Sequence, residues 1–257
     1  MLIENRVALV TGAGQGVGEG IARRLHEAGA TVVIAEFNED TGKAVADSLE
    51  RGHCLRVDVS DREAVVGAVQ WAQRELGRLD ILVNNAYPTG TPPARLENRS
   101  DADFQRALGG GFMGPWWAMQ AAFAGMKAQG WGRVINVCSL NGVNAHPYTA
   151  EYNSAKEALR GLSRTAAREW AQYGICVNIL CPAARTPAFE MFEKYSPENA
   201  ALMLQQNPMG RMGDPQADIG GVALFLASED ARYLTGNTLF ADGGGHINGV
   251  NWEPEVD

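Results

Sequence analysis

Short unbroken runs of Val, Ile, Leu and Ala alternate along this chain with longer stretches whose apolar residues recur every third or fourth position. No other feature restricts the fold as much. The runs lie at residues 7–10, 31–35, 54–57, 81–84, 133–137, 176–180 and 238–241. They lack the apolar-polar alternation of half-exposed strands, which suits strands buried on both faces of a parallel sheet. Between them, Val17, Ile21, Leu25 and Ala28 lead up to Gly29. Ala64, Val65, Ala68, Val69, Ala72 and Leu76 lead up to Gly77, and Leu159, Leu162, Ala166 and Trp170 precede Gly174. Each spacing predicts a helix that stops at a glycine. Strand, helix, strand at this rhythm predicts an α/β fold, a doubly wound parallel sheet of about seven strands with helices on both faces. Ligands of such sheets bind at the carboxyl ends of the strands. A chain of 257 residues without a linker-like stretch reads as one domain, 1–257.

The segment 186–208 breaks the rhythm with short helical pieces carrying Phe189, Met191, Phe192, Tyr195, Leu202, Met203 and Leu204. It reads equally as a substrate lid and as ordinary packing on the core. A net charge of -8 and scattered basic residues argue against a nucleic-acid partner. The four cysteines form no C-x-x-C pair and have no metal-ligand spacing, so no metal is expected and a reduced, cytoplasmic setting fits. The first residues do not read as a signal peptide, and no run reaches membrane-spanning length. The acidic tail at 253–257 is the segment that reads as disordered.

The turn after the first run is Thr11-Gly12-Ala13-Gly14-Gln15-Gly16-Val17-Gly18. Glycines at a strand-to-helix turn let backbone approach a pyrophosphate, and the helix N-terminus favours its charge. Glu36 ends the second strand, where a carboxylate accepts hydrogen bonds from the adenosine ribose and repels a 2′-phosphate. Gln15 and Phe37 stand where a basic residue would serve NADP, so the pattern favours NAD. A surface glutamate opening a turn is the competing reading of Glu36.

Farther along, Asp58-Val59, Asn84-Asn85-Ala86, Ser139, Tyr152-Asn153-Ser154-Ala155-Lys156, Gly210-Arg211, Leu234-Thr235-Gly236 and Asp242-Gly243-Gly244 follow in order. With the T-G-x-x-x-G-x-G loop, they resemble the short-chain dehydrogenase/reductase family almost end to end. The resemblance implies a Rossmann-like NAD(P)-binding domain and a homotetramer. It also implies catalysis by Ser139, Tyr152 and Lys156. Its cofactor contacts would be Gly12, Gln15, Gly16, Val17, Gly18, Glu36, Asp58, Val59, Asn85, Ala86, Tyr152, Lys156, Pro182 and Thr186. The residues support this chemistry directly. Tyr152 and Lys156, four apart, share a helix face. A free phenol ionises near pH 10, and a neighbouring ammonium favours its phenolate, a base for an alcohol proton. Ser139 would hydrogen-bond the substrate oxygen. Ser139, His146, Tyr152 and Phe189 are the candidate substrate contacts, although a lone His is more often structural.

Three departures stand out. The family's helical Asn falls on Gly111, within Gly109-Gly110-Gly111. In the family, that Asn accompanies a helix distortion whose carbonyl holds a relay water. Three glycines would loosen a helix too. Tyr87 replaces the glycine of N-N-A-G and is expected to narrow the cleft or redirect the loop. P-G-x-x-x-T becomes Pro182-Ala183-Ala184-Arg185-Thr186, one residue short. The leading expectation is a dehydrogenase or reductase of a secondary alcohol or ketone, bulky or cyclic. The alternatives are a non-redox lyase or dehalogenase on the same scaffold and a nucleotide-binding protein that has lost catalysis. Trp116 and Trp117 read as a buried interface helix in preference to substrate contacts.

Overall fold

The computed structural model describes residues 2–247, so the acidic tail at 253–257 lies outside the described residues. One parallel sheet is formed by β1 (Val7–Thr11), β2 (Thr31–Glu36), β3 (Gly52–Arg56), β4 (Ile81–Asn84), β5 (Gly132–Val137), β6 (Ile175–Pro182) and β7 (Thr238–Ala241). Their order is β3-β2-β1-β4-β5-β6-β7. The chain builds outward from β1 to β3, then returns to lay β4 on the other side of β1. Loops leaving β1 and β4 diverge at that reversal, and the crevice between them is where a doubly wound sheet binds its ligand.

The helices among the described residues are α1 (Gly16–Glu27), α2 (Glu39–Asp47), α3 (Arg62–Glu75), α4 (Asp101–Leu108), α5 (Gly114–Gln129), α6 (Leu140–Val143), α7 (Ala150–Trp170), α8 (Pro187–Tyr195), α9 (Pro197–Gln205) and α10 (Gly220–Ala227). Successive strand residues point to opposite faces. Ala8, Val10, Val32, Ile34, Ile81 and Val83 pack with α1, α2 and α10. Val7, Leu9, Val33, Ala35 and Leu82 pack with α3, α5 and α7. Both faces are covered, which is why the runs show no polar alternation. The third strand starts two residues before the expected 54–57, because register with β2 begins at Val32 opposite Gly52. It is an edge strand, so the polar His53 is tolerated there. β6 runs two residues past the expected 176–180 because it pairs with β7 as far as Pro182.

A buried polar chain sets the position of α7. Asn84 Nδ2 donates to Asn136 Oδ1 at 2.7 Å, and Asn136 Nδ2 donates to Ser163 Oγ at 2.7 Å. Buried polar groups must be paired, so β4, β5 and α7 are locked in one register. Leu159, fully buried on the same helix, adds apolar anchorage. Its truncation to alanine would cost about 2–5 kcal/mol. The rotation of α7, and hence the direction of Tyr152 and Lys156, follows from these contacts.

Candidate active site

The loop from β1 into α1 is braced from behind. Asn85 Nδ2 donates to the carbonyls of Thr11 and Gly12, both at 3.0 Å. The Thr11 hydroxyl accepts from the main-chain N–H of Asn85 and Ala86 at 3.0 and 3.1 Å. Asn85 thus spends its amide on holding the loop. Gly18 has no room for a side chain, since a methyl group there would run into the Gly12 carbonyl. The loop's outer side stays bare, and a cleft of about 570 Å³ opens over it.

Of the residues expected at a cofactor, Gly12, Gln15, Gly16, Val17, Glu36, Asp58, Val59, Asn85, Ala86 and Thr186 line this cleft. Gly18, Pro182, Tyr152 and Lys156 stand outside its lining. Glu36 is anchored at the end of β2. Its carboxylate accepts from Gly14 N at 2.9 Å, Phe37 N at 2.9 Å and Asn38 N at 3.1 Å. A carboxylate has about four acceptor positions, so capacity remains for a ribose hydroxyl. Asp58 accepts from Ser60 N at 2.8 Å, which holds the loop after β3. Sequence reasoning did not single out Arg56, the register partner of Glu36 on β3, whose guanidinium lies 5.5 Å from the centroid of the Phe37 ring, a residue of the cleft lining. Only the pairing of β2 with β3 brings it there.

Lys156 is 3% exposed. Its ammonium donates to the Val137 carbonyl at 2.7 Å and lies 5.7 Å from the Tyr152 ring centroid. A cation this deep requires a partner, and the carbonyl at the end of β5 supplies one. Ser139 caps α6, accepting from Asn141 N at 3.1 Å. That bond leaves the hydroxyl proton for another acceptor. Cys138, beside it, faces inward, and burial pushes its thiol up to about 12, so it is inert near neutrality. The first turn of α7 is pinned by Arg99 Nε, 2.8 Å from Glu151 Oε2, both side chains buried. Arg99 and Glu151 are far apart in sequence, and no local pattern announced their pairing.

The expected helix distortion is present. Gly109–Met113 forms a single π-turn between α4 and α5. Tyr87 lines the cleft and packs edge-on against Tyr152, with centroids 4.8 Å apart at 82°. The shortened 182–186 loop is held by a bridge between Ala184 and Gly213, with Arg185 N donating to Gly213 O at 2.8 Å. Thr186 caps α8 through Phe189 N at 3.3 Å.

The expected substrate contacts separate. Phe189 is buried against Phe192, with ring centroids 6.4 Å apart, and braces α8 from inside. His146 is exposed, and its main chain holds Asn141, Thr149 and Asn153. Met191, Phe192, Tyr195, Leu202 and Met203 on α8 and α9 face solvent. Among the described residues, no group of three or more His, Cys, Asp or Glu is placed to hold a metal ion, and no helix is long and apolar enough to cross a membrane.

Comparison with known proteins gives a consistent result. The family model described as enoyl-(acyl carrier protein) reductase matches residues 12–246. A 12α-hydroxysteroid dehydrogenase from a Clostridium species is 35% identical, covering 95% of this chain and 97% of its own length. A 3-oxoacyl-[acyl-carrier-protein] reductase from Vibrio harveyi is 35% identical, over 95% of this chain and 98% of its own. A solved structure described as a candidate short-chain alcohol dehydrogenase of Sinorhizobium meliloti 1021 superposes with a TM-score of 0.86 at 34% identity. It covers 95% of this chain and 97% of that one.

Proposed function

This chain belongs to the short-chain dehydrogenase/reductase family, oxidoreductases of alcohol and ketone groups, and on that footing we propose that it is an NAD-dependent dehydrogenase or reductase of a bulky or cyclic secondary alcohol or ketone. The observation that carries the reading is the buried Lys156 ammonium beside the Tyr152 ring, at the end of a cleft floored by a glycine-rich loop. The residues present fit a nicotinamide dinucleotide. A bare main-chain turn at the start of α1 suits the pyrophosphate, and Glu36 retains acceptor capacity for the ribose. Gly12, Gln15, Gly16, Val17, Asp58, Val59, Asn85, Ala86 and Thr186 would contact it from the cleft, with Gly18 backing the loop. Tyr152, Lys156 and Pro182 would complete the reactive end. When bound, this group accepts the hydride that leaves the carbinol carbon, or donates it in reverse.

The chain's own residues handle the proton. The Lys156 ammonium stands beside the Tyr152 ring. The deprotonated Tyr152 oxygen takes the hydroxyl proton of the alcohol, and the oxygen's electron pair closes the carbonyl as the C–H pair leaves as hydride. In reverse, the Tyr152 phenol donates the proton to the nascent alkoxide. Ser139 donates a hydrogen bond to the same oxygen throughout. The solvent-facing apolar side chains of α8 and α9 support a bulky apolar substrate, and so does a relative named for a hydroxysteroid. We read the chain as one domain, with 186–208 as its lid. The expected assembly is a cytoplasmic homotetramer, which sedimentation would check.

The test is fluorescence titration with NADH and NADPH, followed by a panel of cyclic and aromatic secondary alcohols with NAD. Tight NADH binding is expected. Turnover should fall by about 10²–10⁴-fold in Tyr152→Phe while NADH affinity holds. Failure to bind either nucleotide would sink the reading and favour a non-redox reaction.

A further inference from the structure

Two of the departures from the family pattern, Tyr87 and Gly111, are in contact. A Cβ at Gly111 would stand 2.9 and 3.0 Å from ring carbons of Tyr87 and 3.1 Å from the Ala155 Cβ. Real carbons do not approach that closely, so the Tyr87 ring sits directly on the bare backbone of the π-turn. The neighbouring step repeats the relation. A Cβ at Gly110 would collide with the Pro88 ring, whose Cδ would lie at 2.7 Å. Gly109, by contrast, has open space around it. Two of the three glycines are therefore accounted for by the passage of Tyr87 and Pro88 over the turn.

The same ring touches the reactive pair. It meets Tyr152 edge-on at 4.8 Å, and the Lys156 ammonium lies 5.5 Å from its centroid. Edge-to-face packing and an ammonium near a ring face are both directional attractions. The Lys156 ammonium therefore lies to one side of the ring pair, 5.5 Å from one centroid and 5.7 Å from the other. We propose that Tyr87 is a positioning residue for Tyr152 and Lys156, and that position 111 is glycine because this ring must seat on bare backbone there. The proposal rests on the oxidoreductase reading above. Burial pushes the Tyr87 phenol well above its ordinary value, and the Glu151 carboxylate adds to the effect. Arg106 and Arg99 oppose it. Tyr87 therefore stays neutral beside Lys156 and does not compete for its charge.

The test is a double-mutant cycle read in kcat, NADH affinity and thermal stability. Tyr87→Gly is expected to lower kcat about 10- to 100-fold, with a smaller loss of NADH affinity, because misplacing a reacting group costs on that scale. The pH profile of turnover should change as Lys156 loses its contact with the Tyr87 ring. Tyr87→Phe keeps the ring and should recover most of the loss. Gly111→Ala should cost activity in the wild-type background and less in Tyr87→Gly, since the two closest obstructing atoms are gone and only the Ala155 Cβ remains. An additive cycle would overturn the proposal. So would Tyr87→Gly with unchanged kcat and pH profile, even if the two positions couple in stability. If the wild type turns over none of the alcohols, an ultraviolet difference titration of the Tyr152 phenolate, wild type against Tyr152→Phe, reads positioning directly. A midpoint that moves in Tyr87→Gly supports the proposal while the reaction reading fails, and one that stays overturns it.

Discussion

The end of the cleft beneath Glu36 is held by main chain, whereas the end beside Tyr152 is held by side chains packed on side chains. At the first end, the Glu36 carboxylate and the Asn85 amide bond to backbone groups of Gly14, Phe37, Asn38, Thr11 and Gly12. At the second, one tyrosine ring leans on another over a buried lysine. Main-chain architecture accepts few substitutions, because any Cβ or lost acceptor disturbs several bonds together. Side-chain architecture can be repacked in pairs. Two of the departures from the family pattern, Tyr87 and Gly111, fall at the second end, packed around an intact Tyr152–Lys156 pair.

The strongest way to break that contrast is Gly18→Ala. Its methyl group would strike the Gly12 carbonyl and stand 2.5 Å from Asn85 Nδ2. Neither atom can retreat without opening the loop. The expected cost is about 2–4 kcal/mol of stability and at least tenfold in NADH affinity. Gly67→Ala, on the exposed side of α3 with nothing within 4 Å, is the control and should gain up to about 1 kcal/mol. Denaturant unfolding and NADH titration check both. A tolerated Gly18→Ala would mean that the main-chain end is as forgiving as the other.

Beneath the side-chain end, the packing floor can be tested by pH. Burial pushes Cys138 and Cys181 from their ordinary 9.0 up to about 12, with Cys138 itself adding to the shift at Cys181. Above pH 9 the unfolded thiols release protons that the folded ones retain. The folded state then binds more protons, so stability must fall as pH rises from about 9 toward 12. The slope rises toward about 1.4 kcal/mol per pH unit per thiol above pH 10 and averages about 0.7 over pH 8–10. Unfolding of the wild type and of Cys138→Ala between about pH 8 and 10 checks it. The readout is the difference in slope, which subtracts other alkaline titrations, and equal slopes would refute a dry floor under Ser139 and Lys156.

A smaller effect is expected at Glu36. Removing its carboxylate in Glu36→Ala deletes the ribose acceptor and the negative charge beside Arg56, its register partner on β3. The NADH-to-NADPH affinity ratio should fall by about tenfold, close to 1.4 kcal/mol. An unchanged ratio would assign cofactor preference to another group.

Much of the fold was legible because burial on both faces of a parallel sheet leaves an unambiguous apolar record. The register of β3 was not, since an edge strand needs no unbroken apolar run and His53 carries no signal. The loop, Glu36, Tyr152 and Lys156 could be placed because their spacing is short and lies within single strand-helix units. Arg56, the Arg99–Glu151 pair and the seat of Tyr87 on Gly111 join residues distant in sequence, and only the assembled sheet makes them neighbours. Phe189 belongs to the apolar stretch expected at the substrate. Its side chain is buried in the first turn of α8, which Thr186 caps.

That burial makes α8 its own control for the smallest effect. Phe189 is 6% exposed and Met191 is 61% exposed, two residues apart on one helix. Phe189→Ala should cost about 3 kcal/mol of stability as a cavity opens, and its kinetic effect should follow that loss. Met191→Ala, alone or with Phe192→Ala, removes surface that packs on little in the free protein, so unfolding should shift by less than about 0.5 kcal/mol. If 186–208 closes over a bulky apolar substrate, the same variants should raise KM by about 3- to 10-fold, with kcat and NADH affinity unchanged, the signature of uniform substrate binding. The penalty should shrink as the substrate is made smaller, because less apolar area is then covered. Unchanged KM across the series would return the segment to ordinary surface. Substrate choice would then rest on the rings around Tyr152, and both functions of the side-chain end would be concentrated in Tyr87.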